Sequence, residues 1–264
     1  MDWWPAYLAI GVAVGFLAGL LGIGGGAIMV PMLVFVFTAK GFAAEHLMHQ
    51  SIATALATIV FTSLSSVRTH HRYGAVEWPV VGAMAPGIVA GSFGAALLAG
   101  LLPTRPLMAG FALFMLYTGT QMFFDVRPRP GRQLPRPAGL FAAGSVIGAL
   151  SSLFAVGGAF LSIPFLSWCN LPLKRAIGTA AANGFPIAVA GSLGYIAQGL
   201  RAEGLPAGSL GYVYLPALGF IVVTSMLTAP LGARLVHRAP VRPIRMAFSL
   251  LLYALAIQML VKLW

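Results

Sequence analysis

Apolar residues fill this chain in long runs, and polar residues are confined to short breaks between them. A transmembrane helix needs about 20 apolar residues, and runs of that length lie at 46–68, 76–101, 104–124, 174–198, 209–236 and 243–263. Two further stretches, 4–37 and 138–168, are apolar but too long for one helix. Glycine breaks each of them, as GIGGG from Gly22 to Gly26 and as AVGGA from Ala155 to Ala159. Between them runs RPRPGRQLPRP, Arg127 to Pro137, whose prolines forbid helix and whose four arginines resist burial. The pattern predicts a first transmembrane repeat at 1–126, a basic proline-rich linker at 127–137 and a second repeat at 138–264.

The two parts match each other in sequence. A shift of 133 pairs Gly15 with Gly148, Leu17 with Leu150, Leu20 with Leu153, Gly24 with Gly157, Gly25 with Gly158, Pro31 with Pro164 and Leu33 with Leu166. A shift of 137 then pairs Arg105-Pro106 with Arg242-Pro243, and Gln121-Met122 with Gln258-Met259. An internal duplication follows.

Charge orients the halves. If each glycine-broken stretch crosses the membrane once, the sixteen Lys and Arg divide eight against eight. If each goes in and returns, twelve lie on the linker side, and only Lys40, Arg105, Arg201 and Lys262 lie on the other. The second split satisfies the positive-inside bias. The expected fold is an all-α polytopic membrane protein of two inverted repeats. Each repeat is a glycine-broken helical hairpin followed by three transmembrane helices, with the linker cytoplasmic and both termini outside.

Composition agrees. Hydrophobic residues make up 59% of the chain, charged residues only 8%, and mean hydropathy is +0.91. A soluble domain carries about a quarter of its residues charged, so the bilayer is this chain's solvent. The net charge of +11 does not point to nucleic acid, because its basic residues sit in loops and not along one face. Residues 1–39 hold no Lys or Arg, so the basic region of a cleavable signal peptide is missing and the first stretch is expected to be retained. Cys169 stands alone and reads as a packing residue.

Candidate chemistry lies at the breaks and on the helices after them. A short helix that begins at a glycine reversal leaves its first N–H groups unpartnered, and with the helix dipole these form an anion site. Inverted repeats bring two such starts towards the midplane. Gly24, Gly25, Gly26, Gly157 and Gly158 are therefore candidates; close packing through small residues is the alternative. Ser51, Thr54, Thr58 and Thr62 follow the first break, and Thr179 and Asn183 the second. Ser51, Thr54, Thr179 and Asn183 are the side-chain candidates, since neutral donors suit an oxyanion without burying a charge. Interhelical bonding or back-bonding to the i−4 carbonyl is their alternative role.

All five acids, Asp2, Glu45, Glu77, Asp125 and Glu203, fall near helix ends or in loops, so no carboxylate is expected at the midplane. The histidines read as interfacial, with no metal site and no cofactor expected. An enzyme would need a nucleophile–base pair inside the membrane, and the acids and histidines are read as peripheral.

GLLGIGGGAIMVP in the first half, SLFAVGGAFLSIP and AIGTAAANG in the second, and RYGAVEW between them resemble the sulfite exporter TauE/SafE family. The resemblance implies a secondary transporter in the bacterial inner membrane, moving sulfite, thiosulfate, an organosulfonate or a related sulfur compound, mostly outward. The chain departs from the family at Gln50–Ala53, QSIA, where a GTS-like triplet is usual, and in the fewer glycines of AVGGA. A channel-like or uptake facilitator, and more remotely an intramembrane scaffold or enzyme, stay open.

Overall fold

The computed structural model describes residues 3–21, 25–124, 131–236 and 241–262. Among the described residues ten helices form, in the order α1 (Trp4–Leu21), α2 (Gly26–Ala39), α3 (Leu47–Arg72), α4 (Trp78–Ala99), α5 (Thr104–Phe123), α6 (Pro137–Leu153), α7 (Ala159–Trp168), α8 (Leu173–Gly199), α9 (Leu215–Val236) and α10 (Val241–Val261). The order of the first five recurs in the second five: helix, break, short helix, long helix, two more helices. Among the described residues, α3, α4 and α8 are long and apolar enough to cross a membrane.

Among the described residues one element departs from an all-α chain. The apolar run at 209–236 begins as a two-stranded antiparallel ribbon, Ser209–Leu210 against Val213–Tyr214, and turns helical only at Leu215. Gly208 and Gly211, both with positive φ, allow the tight turns that a helix would not.

The burial pattern is that of a protein dissolved in lipid. Leu113, Val146, Val223, Leu227 and Leu250 are exposed, whereas Thr54, Thr58, Thr179, Asn183 and Ser162 are fully buried. Apolar side chains cost nothing against acyl chains, while buried hydroxyls and amides must find partners inside.

The helix directions follow from which residues touch. On α8, Gly178 meets Ala75, Gly184 approaches Ser63 and Gly191 approaches Leu56. Numbers fall on one helix as they rise on the other, so α3 and α8, the equivalent long helices of the two halves, run antiparallel. By contrast α1 runs parallel to α9, with Gly11 against Ile221, Gly15 against Ser225 and Gly19 against Ala229. Likewise α4 runs parallel to α6, with Gly87 against Phe141 and Gly91 against Ser145. Each first helix thus packs on the fourth helix of the other half.

Both broken stretches return to the end they start from. The ring of Tyr7, in the first turns of α1, lies 6.0 Å from the Lys40 nitrogen that closes α2. In the other half the Arg132 guanidinium, just before α6, lies 4.8 Å over the Trp168 ring that closes α7. Lys262, beyond α10, covers Phe35 of α2 in the same way at 5.4 Å.

These contacts define two ends. The linker end carries Arg132, Arg136, Lys174 and Arg175 together with Arg68 and Arg72 on the last turns of α3. The far end carries Lys40, Arg105, Arg201 and Lys262. The acids Glu45, Glu77 and Glu203 also stand at helix ends. Asp2, Asp125 and Gly24 lie outside the described residues.

Candidate functional site

The glycine breaks become two capless helix starts. Gly25 precedes α2 at φ 69°, Gly158 precedes α7 at φ 77°, and neither start has a side-chain cap. Left-handed backbone there costs glycine nothing, whereas a Cβ would strain it. The Gly25 carbonyl accepts from the N–H groups of Ile28 and Met29, and the Gly158 carbonyl from those of Leu161 and Ser162. No acceptor stands opposite the first N–H groups of α7, Ala159 and Phe160, among the described residues. Gly25, Gly26, Ala27 and the stretch Ala155–Phe160 are buried, so these donors are out of reach of bulk water.

The two breaks meet. Gly26 lies so close to the Ala155 carbonyl that a Cβ on it would overlap that oxygen, with Ile59 of α3 on its other side. A Cβ on Gly184 of α8 would come 2.8 Å from the Gly157 carbonyl. Ala155 itself has φ 46°, an uncommon angle for a residue with a side chain. Both starts therefore reach one level of the antiparallel α3–α8 pair, around Ile59–Ser63 and Gly184–Ile187.

Buried polar atoms gather on the side of the second break. Asn183 is fully buried; its amide nitrogen lies 3.5 Å from the Met84 sulfur, and its carbonyl oxygen has no partner. The Ser162 hydroxyl, one turn into α7, is also buried without a partner, 3.7 Å from where a Gly158 Cβ would sit. Ser151 and Ser152 end α6 in the same condition. The residues 133 earlier are Ala18, Gly19 and Met29 for the three serines, so the first break offers backbone where the second adds hydroxyls. Ser151, Ser152 and Ser162 were readable only as serines flanking AVGGA, with nothing in their spacing to place them inward.

The other side-chain candidates are employed differently. Thr54 accepts the Tyr214 N–H at 3.0 Å, and Thr179 accepts the Glu77 N–H at 3.0 Å. Tyr214 and Glu77 are the residues just before α9 and α4, so each threonine secures the start of the other half's fourth helix. The α3–α8 register sets Thr54 and Thr179 about 14 residues apart along the pair, roughly 21 Å at 1.5 Å per residue. They do not share one site. Ser51 donates back to the Leu47 carbonyl at 2.8 Å and Thr58 to the Thr54 carbonyl at 2.9 Å. Of the candidates, Gly25, Gly26, Gly157, Gly158 and Asn183 come together; Ser51, Thr54 and Thr179 stand apart.

One histidine at a helix end is covered by protein. His49 is 2% exposed, stacks on Tyr212 at 5.1 Å and lies 3.0 Å from the Ala99 carbonyl. It stays at the helix-end level read from the sequence, in the first turn of α3, and the ribbon and the end of α4, both distant in sequence, cover it. Burial, and secondarily the Glu45 carboxylate, push the Tyr212 phenol above its ordinary value, so it stays a neutral donor. Cys169 is buried at the close of α7, and burial raises its thiol against the lowering effect of Arg132. It packs as a thiol.

Known proteins have similar chains. The family described as sulfite exporter TauE/SafE matches residues 7–259. A probable membrane transporter protein of Haemophilus influenzae is 34% identical over 97% of both chains. One from Methanocaldococcus jannaschii is 24% identical over 97% of this chain and 95% of its own. Another, from Bacillus subtilis, is 27% identical over 86% of this chain and 87% of its own. No solved structure gives a significant match. The chain is therefore a member of the sulfite exporter TauE/SafE family of membrane transporters.

Proposed function

We propose that this protein is a secondary transporter that moves a small sulfur-containing anion, such as sulfite, thiosulfate or an organosulfonate, outward across the inner membrane. The observation that carries the reading is the meeting of two buried, capless helix starts at one level of the molecule. Backbone N–H groups aimed into a dry centre, with the positive ends of two helix dipoles, stabilise an oxyanion without a buried cation. Asn183 and Ser162 add side-chain polarity to this centre, Gly26 lets the two breaks approach, and Gly184 lets α8 approach the second.

The antiparallel run of α3 and α8 supports two inverted repeats, 1–126 and 138–264, each opening with a re-entrant hairpin. The basic linker end fits the cytoplasmic face. Residues Trp3 and Lys262 then lie on the periplasmic side. An anion leaving a cell with a negative interior gains about 2.3 kcal/mol per charge per 100 mV, so export needs no coupling acid at the centre.

Flux in proteoliposomes tests this. Sulfite, thiosulfate and methanesulfonate should move down an imposed potential, saturably and without sodium. A strict sodium requirement at fixed potential, or no flux of any of the three, contradicts the reading.

A further inference from the structure

We propose that Lys40, with the hydroxyls of Tyr214 and Tyr7, forms a second anion subsite at the far end of the molecule, where a small oxyanion docks on its way to or from the central breaks. This inference rests on the anion-transport reading above.

Lys40 ends α2 and is half-buried. Its ammonium donates to the Tyr214 hydroxyl. It also stands 4.5 Å from the centre of that ring, 5.6 Å from Phe42 and 6.0 Å from Tyr7. Phe37 and Phe42 stack at 4.5 Å, and both meet Tyr214 edge-on, at 5.6 and 5.1 Å. A lysine at a membrane boundary ordinarily extends its stem and gives its ammonium to water. This one is folded back over three rings, and among the described residues no carboxylate pairs with it. The nearest acid in sequence, Glu45, lies instead 3.5 Å from His46.

The donors around this ammonium are unspent. Lysine has three N–H donors, and one is used on Tyr214. The Tyr214 hydroxyl accepts that bond and keeps its own hydrogen. The Tyr7 side chain is 2% exposed, and its hydroxyl is buried with no partner at all. A fixed positive charge with two phenol donors suits an anion of several oxygens, and repels a cation. Aromatic walls lower the local dielectric, so the charge acts more strongly than it would in open water.

The placement ties the subsite to the centre. Lys40 closes the 14-residue helix α2 whose other end is the first break, about 21 Å away. Through its N–H, Tyr214 is also bonded to Thr54 of α3. An anion on Lys40 is thus at the mouth of the same helix that presents its backbone donors at the midplane.

Sulfite flux measured on both faces of oriented proteoliposomes, with Lys40→Met, Lys40→Arg and Tyr7→Phe proteins checked for monodispersity, tests the subsite. Lys40→Met should raise KM at the far face at least tenfold and change maximal flux little, as loss of a charged hydrogen-bond partner implies. Lys40→Arg should stay within about threefold of wild type, because it keeps the charge. Tyr7→Phe should fall between them. KM at the linker face should not move. If wild type carries sulfite and Lys40→Met has an unchanged far-face KM, the subsite is wrong while the transport reading stands. If Lys40→Arg fails as badly as Lys40→Met in folded protein, the ammonium is a packing element and the subsite is likewise refuted. If wild type carries none of the anions tried, the transport reading fails first.

Discussion

Two corners of this protein are built on one plan and end in different chemistry. At the far end Thr54 of α3 holds the N–H of Tyr214, which starts α9; at the linker end Thr179 of α8 holds the N–H of Glu77, which starts α4. Tyr214 and Glu77 are equivalent positions, 137 residues apart. Each also takes a basic side chain, Lys40 from the close of α2 on Tyr214 and Arg175 from the first turn of α8 on Glu77. At the linker end the carboxylate cancels the arginine. At the far end a neutral phenol leaves the lysine its charge. The lesson is that the backbone brace belongs to the fold and is shared, whereas the residue in the bracing position decides whether a corner is neutral or electropositive.

The largest effect expected on this comparison comes from the braces. Thr54→Val or Thr179→Val leaves a backbone N–H without an acceptor, which costs roughly 1–3 kcal/mol when the group is buried. Both variants should lower the midpoint of thermal unfolding in detergent by similar amounts. A large loss from one and none from the other would show that the corners are not equivalent.

A smaller effect is expected from the ion pair. Arg175 is 57% exposed and Glu77 27%, and exposed pairs contribute about 0–1 kcal/mol. Glu77→Gln should therefore barely change unfolding, and should leave the far-face KM for sulfite as it is. A far-face effect as large as that of Lys40→Met would mean that the two corners are coupled through the molecule and not separate.

Much of this architecture was legible in the residues, for physical reasons. Lipid demands long apolar helices, so α4, α5 and α8 fall within two residues of their apolar runs and α3 within four. Glycine is nearly compulsory where a chain reverses through positive φ, so both breaks stand out. The rest depended on contacts that sequence spacing does not encode. Thr54, Thr58 and Thr62 share a helical face, but their i+4 spacing could not tell that one braces a distant N–H while the others bond back to their own helix. The residues around Lys40 come from positions 7, 37, 42 and 214, and only the return of α2 beside α1 assembles them. The ribbon at 209–214 was hidden because an apolar segment of that length fits a helix equally well.

The central claim is that the meeting helix starts hold the anion, and sulfite affinity of purified Gly158→Val tests it most directly. The added side chain would strain a φ of 77° and bring a Cβ within 2.6 Å of the Ile187 methyl, at the mouth of the α7 donors. Monodisperse Gly158→Val protein should bind sulfite at least tenfold more weakly than wild type, as expected from losing hydrogen bonds to charge worth about 1.5–3 kcal/mol each. Folded Gly158→Val protein with unchanged affinity would contradict the account and leave the breaks as packing alone.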